Sequence, residues 1–260
     1  TANSSGTANI SYPIDVPAGR QGLQPNLNVV YNSENNTGIP GNGWDIPIPK
    51  ITVDTRWGVP RYDNAKETEE YLLNGEQLVE LSIANGDTER LPLVHMAPYR
   101  NRTTSGQTFY SYRVEGAFQR IIRYGTNPSN YWWQVVDKNG TIYYYGMYSG
   151  DSGVNPNCIL RNPNTGNIAE WALAEVRDLY GNYIKYEYGV ATDSTTYSAD
   201  SARIIYHRKI TYTGHSSTPG AYSVEFIAPD SYAPASGQFS MRYGFRQAER
   251  APIQQIVVKY

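Results

Sequence analysis

One cysteine, Cys158, and three histidines leave this 260-residue chain poor in thiol and imidazole chemistry. A lone thiol excludes an internal disulfide framework and any site built from several cysteines. It is compatible with a cytosolic chain or with a bacterial secreted one. No apolar run approaches the ~20 residues of a membrane-spanning helix, so the chain is not expected to cross a membrane as helices. An excess of one charge is missing too: 22 Lys and Arg face 24 Asp and Glu, for a formal net charge of −2. Without a basic stripe, nucleic acid is not an expected partner. A long stripe of period 3.6 is also absent, which argues against a helical fold. The chain opens at Thr1 without a basic stretch followed by an apolar one, and reads as a processed protein or an excised piece. The triplets Asn3-Ser4-Ser5 and Asn101-Arg102-Thr103 fit the glycosylation rule, which chance often satisfies.

What the chain does have is tyrosine, 24 residues against five Phe. Tyr packs its ring and keeps a polar tip, so its abundance suggests sheets with one semi-polar face rather than a thick aliphatic core. One strand–turn–strand pattern occurs twice. Asp137-Lys138-Asn139-Gly140 leads into Thr141 to Gly146, and Asp178-Leu179-Tyr180-Gly181 leads into Asn182 to Gly189. Asp accepts backbone N–H bonds within such a turn, Gly supplies positive φ, and Tyr suits a pleated, half-buried strand. Alternation of period two predicts strands at 10–16, 27–31, 45–53, 71–73, 77–83, 109–115, 118–124, 131–136, 141–147, 169–176 and 183–188. Four more are predicted at 203–213, 221–226, 238–245 and 253–259. Asn74-Gly75, Asn85-Gly86, Asn139-Gly140 and Tyr180-Gly181-Asn182 read as tight turns between them. The polar segments 149–167 and 190–201 read as surface excursions. Residues 1–63 are punctuated by Pro and Gly and are expected to lie as a strap, with 64–260 as a hairpin-built sheet. No clean linker separates two domains.

Several blocks carry a resemblance. They are Gly6-Thr7-Ala8, Tyr12-Pro13-Ile14, Val16-Pro17-Ala18-Gly19-Arg20-Gln21-Gly22-Leu23-Gln24-Pro25, Tyr31-Asn32-Ser33, Gly41-Asn42-Gly43-Trp44 and Gly58-Val59-Pro60-Arg61-Tyr62-Asp63. Tyr112 to Gly116, Asn139-Gly140-Thr141, Trp171 with Leu173, Ile210 to Gly214 and Tyr243-Gly244-Phe245 continue it, while Ala248 to Pro252 depart from it. In this order and spacing the chain resembles the N-terminal region of plasmid virulence protein B (SpvB) and of the B components of bacterial insecticidal toxin complexes. The Asp-x-x-Gly turns are shared with Rhs and YD-repeat proteins. The resemblance implies an all-β module in which many antiparallel hairpins form large curved sheets, part of a β-shell that encloses a toxic polypeptide. It also implies partners outside these residues: further shell, a β-propeller and toxic domains of the same polypeptide or complex.

Motifs that carry chemistry are few, and each has a plainer reading. Gly150-Asp151-Ser152-Gly153 matches the surroundings of a serine-protease nucleophile, which needs a His base and an orienting carboxylate. The one upstream histidine, His95, lacks the expected neighbours, so a polar turn is preferred. Glu67-Thr68-Glu69 has the Glu-x-Glu spacing of ADP-ribosyltransferases but no suitable upstream Arg or Ser-Thr-Ser strand, and reads as a solvated acidic turn. Asp151, Asn155 and Asn157 could offer oxygens to Ca²⁺, but Gly153 and Asn162 break the EF-hand spacing. His95, His207 and His215 are too scattered for a metal site. Trp132-Trp133 and Trp171 could form a sugar-stacking platform, although aromatic ladders more often pair across strands.

The expectation is therefore a non-enzymatic structural and encapsulation module of a larger secreted or surface-associated bacterial protein, with no catalytic, cofactor-binding or metal-binding residues. The alternative is a carbohydrate-binding or adhesin module. Open strand edges are expected to favour self-association.

Overall fold

The computed structural model describes residues 8–34, 43–84, 87–114, 116, 118–192, 203–228, 239–248 and 253–260. The turn Asn85-Gly86, the opening Gly6-Thr7, Gly41-Asn42, and the excursion beyond residue 192 lie outside the described residues. The chain divides into two compact units. One comprises residues 1–48, 180–241 and 246–260, and the other residues 49–179 with 242–245.

In the first unit, β1 (Asn9–Pro13), β2 (Asn28–Asn32) and β3 (Trp44–Asp45) form a small antiparallel sheet in the order β1-β2-β3. Its edges carry the prolines: Pro13 closes β1, and Pro47 and Pro49 follow β3, where a missing N–H costs no ladder bond. Between β1 and β2 a 3-10 turn at Arg20–Gly22 fastens the opening segment to the rest of its unit. Arg20 Nε donates to the Thr213 carbonyl at 2.9 Å.

The second unit is a barrel. Its strands are β4 (Lys50–Val53), β5 (Tyr71–Leu73), β6 (Glu76–Ala84), β7 (Asp87–Arg90), β8 (Gln107–Tyr112), β9 (Arg120–Tyr124), β10 (Trp132–Val136), β11 (Ile142–Tyr145), β12 (Ile159–Arg161) and β13 (Ile168–Arg177). Eight of them run β11-β10-β9-β8-β6-β5-β4-β13, every pairing antiparallel, and β11 also pairs with β13 to close the circle. Closure removes the sheet edges that an open meander would expose. β7 continues the arm of β6, and β12 adds to β13. The hairpin chemistry read from the sequence is realised here. Asp137 Oδ1 accepts from the backbone N–H of Asn139 (2.8 Å) and Thr141 (3.0 Å), and Gly140 takes φ +80°.

The barrel interior is solid. Ile51, Leu73, Ile121, Trp133, Val135, Trp171 and Leu173 are buried within it. The rings of Tyr71, Tyr110, Trp133 and Trp171 meet edge-on or tilted at centroid distances of 4.9 to 5.9 Å. Such geometry suits aromatic quadrupoles and contributes about 0.5–1.5 kcal/mol per pair beyond burial.

The remaining strands return to the first unit. β14 (Asn182–Thr192), β15 (Arg203–His215), β16 (Tyr222–Ile227) and β19 (Gln255–Lys259) form an antiparallel sheet in that order, β17 (Phe239–Ser240) pairs with β18 (Gln247–Ala248), and β18 meets β15 through one parallel pairing. Here the tyrosines solve a different problem. Gly189 lies opposite Tyr206 and Gly214 opposite Tyr183, with each ring lying over the glycine across the strands. A Cβ at either glycine would come within 2.4 Å of the ring, so the bare backbone is what the ring packs on.

The structure corrects two local expectations. The segment 149–167 is not wholly a surface excursion, since Cys158, Ile159 and Leu160 are buried where β12 pairs with β13. Strand structure expected over 238–245 is confined to Phe239–Ser240 among the described residues. Residues 242–245 form a turn instead, with Gly244 at φ +81°.

Candidate functional site

The densest polar constellation lies inside the barrel. Two loops cross its mouth side by side: Glu67 N–H donates to the Arg100 carbonyl, Arg102 N–H donates to the Ala65 carbonyl, and Lys66 pairs with Asn101 as an antiparallel bridge. That pairing lines up Glu67 and Glu69 with Arg102. From the wall, Arg123 on β9 shares the parity of Ile121 and so faces inward.

These four side chains are joined by ion pairs, while the buried Arg123 Nε has no partner. Arg123 clasps Glu67 in bidentate fashion, Nη2 to Oε1 at 2.6 Å and Nη1 to Oε2 at 3.0 Å. It also donates to the Tyr71 and Thr108 hydroxyls, each at 3.2 Å. Its guanidinium lies 4.0 Å from the Tyr131 ring centroid. Arg102 Nη1 donates to Glu67 Oε2 at 2.9 Å, Nη2 donates to Glu69, and Nε donates to the Asp63 carbonyl at 2.5 Å. Arg123 is 1 % exposed, Glu67 2 % and Glu69 4 %.

Burial alone would raise the Glu67 carboxyl, but Arg123 and Arg102 outweigh it and hold the group below the usual carboxylate range. Burial works against the charge of Arg123 as well, and the surrounding tyrosines and Glu67 raise its pKa. Tyr71 and Tyr110 are pushed well above the ordinary phenol value, chiefly by burial. Arg102, Arg123 and Glu67 are thus ionised beside neutral phenols, in a largely buried setting. Such a group, with its carboxylates and guanidiniums paired to one another, can brace a barrel.

A second buried carboxylate, Glu170 on β13, accepts from Lys50 Nζ (2.8 Å), the Tyr243 hydroxyl (2.8 Å) and Arg242 Nη2 (3.2 Å). Burial would raise it, and Lys50 with Arg242 brings it down below its ordinary value. At the barrel mouth a shallow cavity is lined by Glu69, Glu70, Glu80, Pro92, Arg100 and Tyr110. Its carboxylates are engaged: Glu80 with Arg100 at 2.8 Å, and Glu70 with Gln77 Nε2 at 2.7 Å and with His95 Nδ1 at 2.5 Å.

The residues singled out in the sequence are not brought together. His95 is held by Glu70 and stacks on Trp57 at 3.9 Å, while Asp151 Oδ2 accepts from Tyr148 N–H in its own turn. Ser152 is exposed in that turn. Asn155 accepts from Asn157 N–H as the cap of a 3-10 turn, and Asn162 accepts from Asn164 N–H. Among the described residues no group of His, Cys, Asp and Glu could hold a metal ion. His207 is buried and His215 lies exposed beside a turn.

Two readings are overturned. Glu67-Thr68-Glu69 is not a solvated acidic turn, because Arg102 and Arg123 draw both carboxylates into the barrel. Trp133 and Trp171 are core residues, at 0 % and 1 % exposure, and cannot serve as a sugar platform. Trp132 faces outward and stacks on Tyr124 at 4.0 Å. Sequence reasoning missed Arg102 and Arg123. The available signal was parity: a charged residue two positions from Ile121 falls on the buried face of the same strand.

Comparison with known proteins follows the same lines. A family model described as Salmonella virulence plasmid 65kDa B protein, SpvB, matches residues 2–226. The solved N-terminal domain of effector protein SpvB from Salmonella typhimurium strain LT2 superposes with a TM-score of 0.70 at 20% identity, covering 96% of this chain and 86% of that one. TcdB2-TccC3 gives 0.72 at 22% identity, covering 97% of this chain and 13% of that one. A Photorhabdus luminescens Tc holotoxin pore gives 0.69 at 21% identity, with the same coverages. At such identities these likenesses establish the fold. The chain therefore spans about an eighth of the length of the TcdB2-TccC3 chain. No curated protein sequence matches it.

Proposed function

The chain belongs to the SpvB family, and from that membership we propose that it is a non-catalytic structural module of a larger bacterial toxin-like protein, forming part of a wall that encloses other parts of that protein. The observation that carries this reading is the barrel interior, where the side chains best suited to acid–base chemistry are spent on one another. A filled barrel stapled by Arg123 and Glu67 gives a rigid block, and rigidity is what a wall requires.

The partners of this reading are the remaining shell, propeller and toxic regions of the same polypeptide or complex. Its setting is secreted or at the bacterial surface. Among the described residues no helix is long and apolar enough to cross a membrane. β19 lies at the end of its sheet and pairs only with β16 among the described strands, which leaves a row of backbone groups for a neighbouring strand.

The test is protease protection of the full-length parent protein, with electron microscopy of the same preparation. The expected result is a toxic polypeptide resistant to digestion until the shell is denatured, with this chain in the wall around it. A freely digested polypeptide beside a detached block would overturn the proposal. So would turnover of a substrate by this chain that persists in purified wild type and disappears in Ser152→Ala.

A further inference from the structure

β15 is flanked by β14 and β16, and His207 sits on it at 1 % exposure. Its ring lies 5.4 Å from that of Tyr188 on β14 and stacks at 4.9 Å on Phe226 of β16. Neither ring nitrogen has a hydrogen-bond partner, although both are shut away from solvent. The Pro47 carbonyl lies on the side that would favour a proton, but it makes no hydrogen bond of normal geometry. Tyr188 is the titratable group facing the ring from β14, β16 presents Phe226, and the segment after β3 presents that carbonyl. Among the described residues no carboxylate, Lys or Arg acts on it.

We infer that His207 is an acid-sensitive joint in the open sheet, so that a proton on its ring parts β15 from β14 and β16 while the barrel stays closed. The reason is solvation. An imidazolium needs acceptors for two N–H groups and a counter-charge; this site offers the Pro47 carbonyl alone, in poor geometry, and no counter-charge among the described residues. Burial accordingly lowers the pKa of the folded ring from 6.5 to about 4. The sign follows from proton counting. The opened sheet binds a proton below about pH 6.5 that the closed sheet refuses, so closure weakens as the pH falls towards 4. Each pH unit in that window changes the closing equilibrium tenfold, up to roughly 300-fold across it. The barrel behaves differently because Glu67 and Glu170 titrate below the ordinary carboxylate range.

The experiment is amide hydrogen exchange on the full chain at pH 7, 5.5 and 4.5, corrected for intrinsic exchange, in wild type and in His207→Phe. Opening of β14–β16 is expected to rise about tenfold per unit below pH 6.5 in wild type while β9, β10 and β13 are unchanged. In His207→Phe the rise should vanish. Protection of β14–β16 that follows the barrel at every pH, or that falls equally in the variant, overturns the inference. Should the variant not fold, an NMR titration of the His207 ring in wild type decides: a neutral ring down to pH 5 supports the joint, and a midpoint at 6 or above refutes it.

Discussion

The barrel and the open sheet bury polar side chains by opposite means. In the barrel, Arg102, Arg123, Glu67 and Glu69 go in together and supply one another with partners. In the open sheet, His207 goes in neutral, between two aromatic rings and with no hydrogen bond of normal geometry. The first arrangement is costly to break and indifferent to mild acid. The second leaves two ring nitrogens unpaired, which costs stability at any pH, and it responds to a single proton. Edges divide them in the same way: β11 pairing with β13 leaves the barrel closed, while β19 ends its sheet.

The contrast breaks most sharply at Arg123. Arg123→Met leaves Glu67 buried with Arg102 as its one remaining cation, and losing one partner of a buried pair typically costs about 3–5 kcal/mol. Urea unfolding followed by the fluorescence of buried Trp133 and Trp171 should show that loss. The double variant Glu67→Met with Arg123→Met removes both charges and leaves Arg102 to Glu69, so most of the loss should return. A single variant within about 1 kcal/mol of wild type would mean that the pairs do not hold the barrel.

Acid should then separate the two regions. A histidine whose folded pKa is near 4 rather than 6.5 removes up to about 3 kcal/mol from the open sheet, beginning below pH 6.5 and complete near pH 4. Glu67 and Glu170 have folded pKa values below their unfolded ones. Their stabilisation is therefore full above about pH 4.5 and is lost as the pH falls below it. Two acid transitions are expected by circular dichroism and tryptophan fluorescence, the upper one sensitive to His207→Phe. One coincident transition below pH 4 would erase the distinction.

How much of this could be read from the sequence depends on the range of the interaction. Tyr71–Leu73 has the predicted bounds, and the Asp137 turn makes the predicted bonds, because both are decided by neighbouring residues. β7 was not predicted: Asp87-Thr88-Glu89-Arg90 is exposed at every position and carries no alternation. β12 was hidden in a polar segment, and its burial comes from pairing with β13 at Trp171. Closure rests on Tyr145 meeting Leu173, and the staple on Glu67 meeting Arg123 across 56 residues. No local pattern encodes such meetings. The neutral burial of His207 was equally invisible, since one histidine on a strand says nothing about what faces it.

Glycine sharpens the comparison at a smaller scale. Gly189→Ala places a Cβ 2.4 Å from the Tyr206 ring, which must leave its place, and such overpacking costs typically about 1–3 kcal/mol. Gly75→Ala, in the barrel hairpin at φ +88°, meets nothing within 4 Å and pays only backbone strain, about 1 kcal/mol. Denaturant midpoints should rank Gly189→Ala below Gly75→Ala. The reverse order would show that the Tyr–Gly contact adds little.

The smallest effect on stability should have the clearest effect on association. Val257 on β19 lies opposite Glu225, so its side chain shares the face on which Lys209 and Lys259 also meet that carboxylate. Val257→Lys adds a cation on this half-exposed face and should change stability by less than about 0.5 kcal/mol. A lysine on an edge strand resists the docking of a second strand, because its charge must be desolvated beside the newcomer. If the open edge drives self-association, light scattering of concentrated wild type should show oligomers that Val257→Lys reduces. The equivalent change on the closed barrel, Gln134→Lys on half-buried β10, should leave them untouched, since both edges of that strand are already paired. Equal reduction by both variants would assign the association to net charge, and a strictly monomeric wild type would remove the edge as a contact altogether.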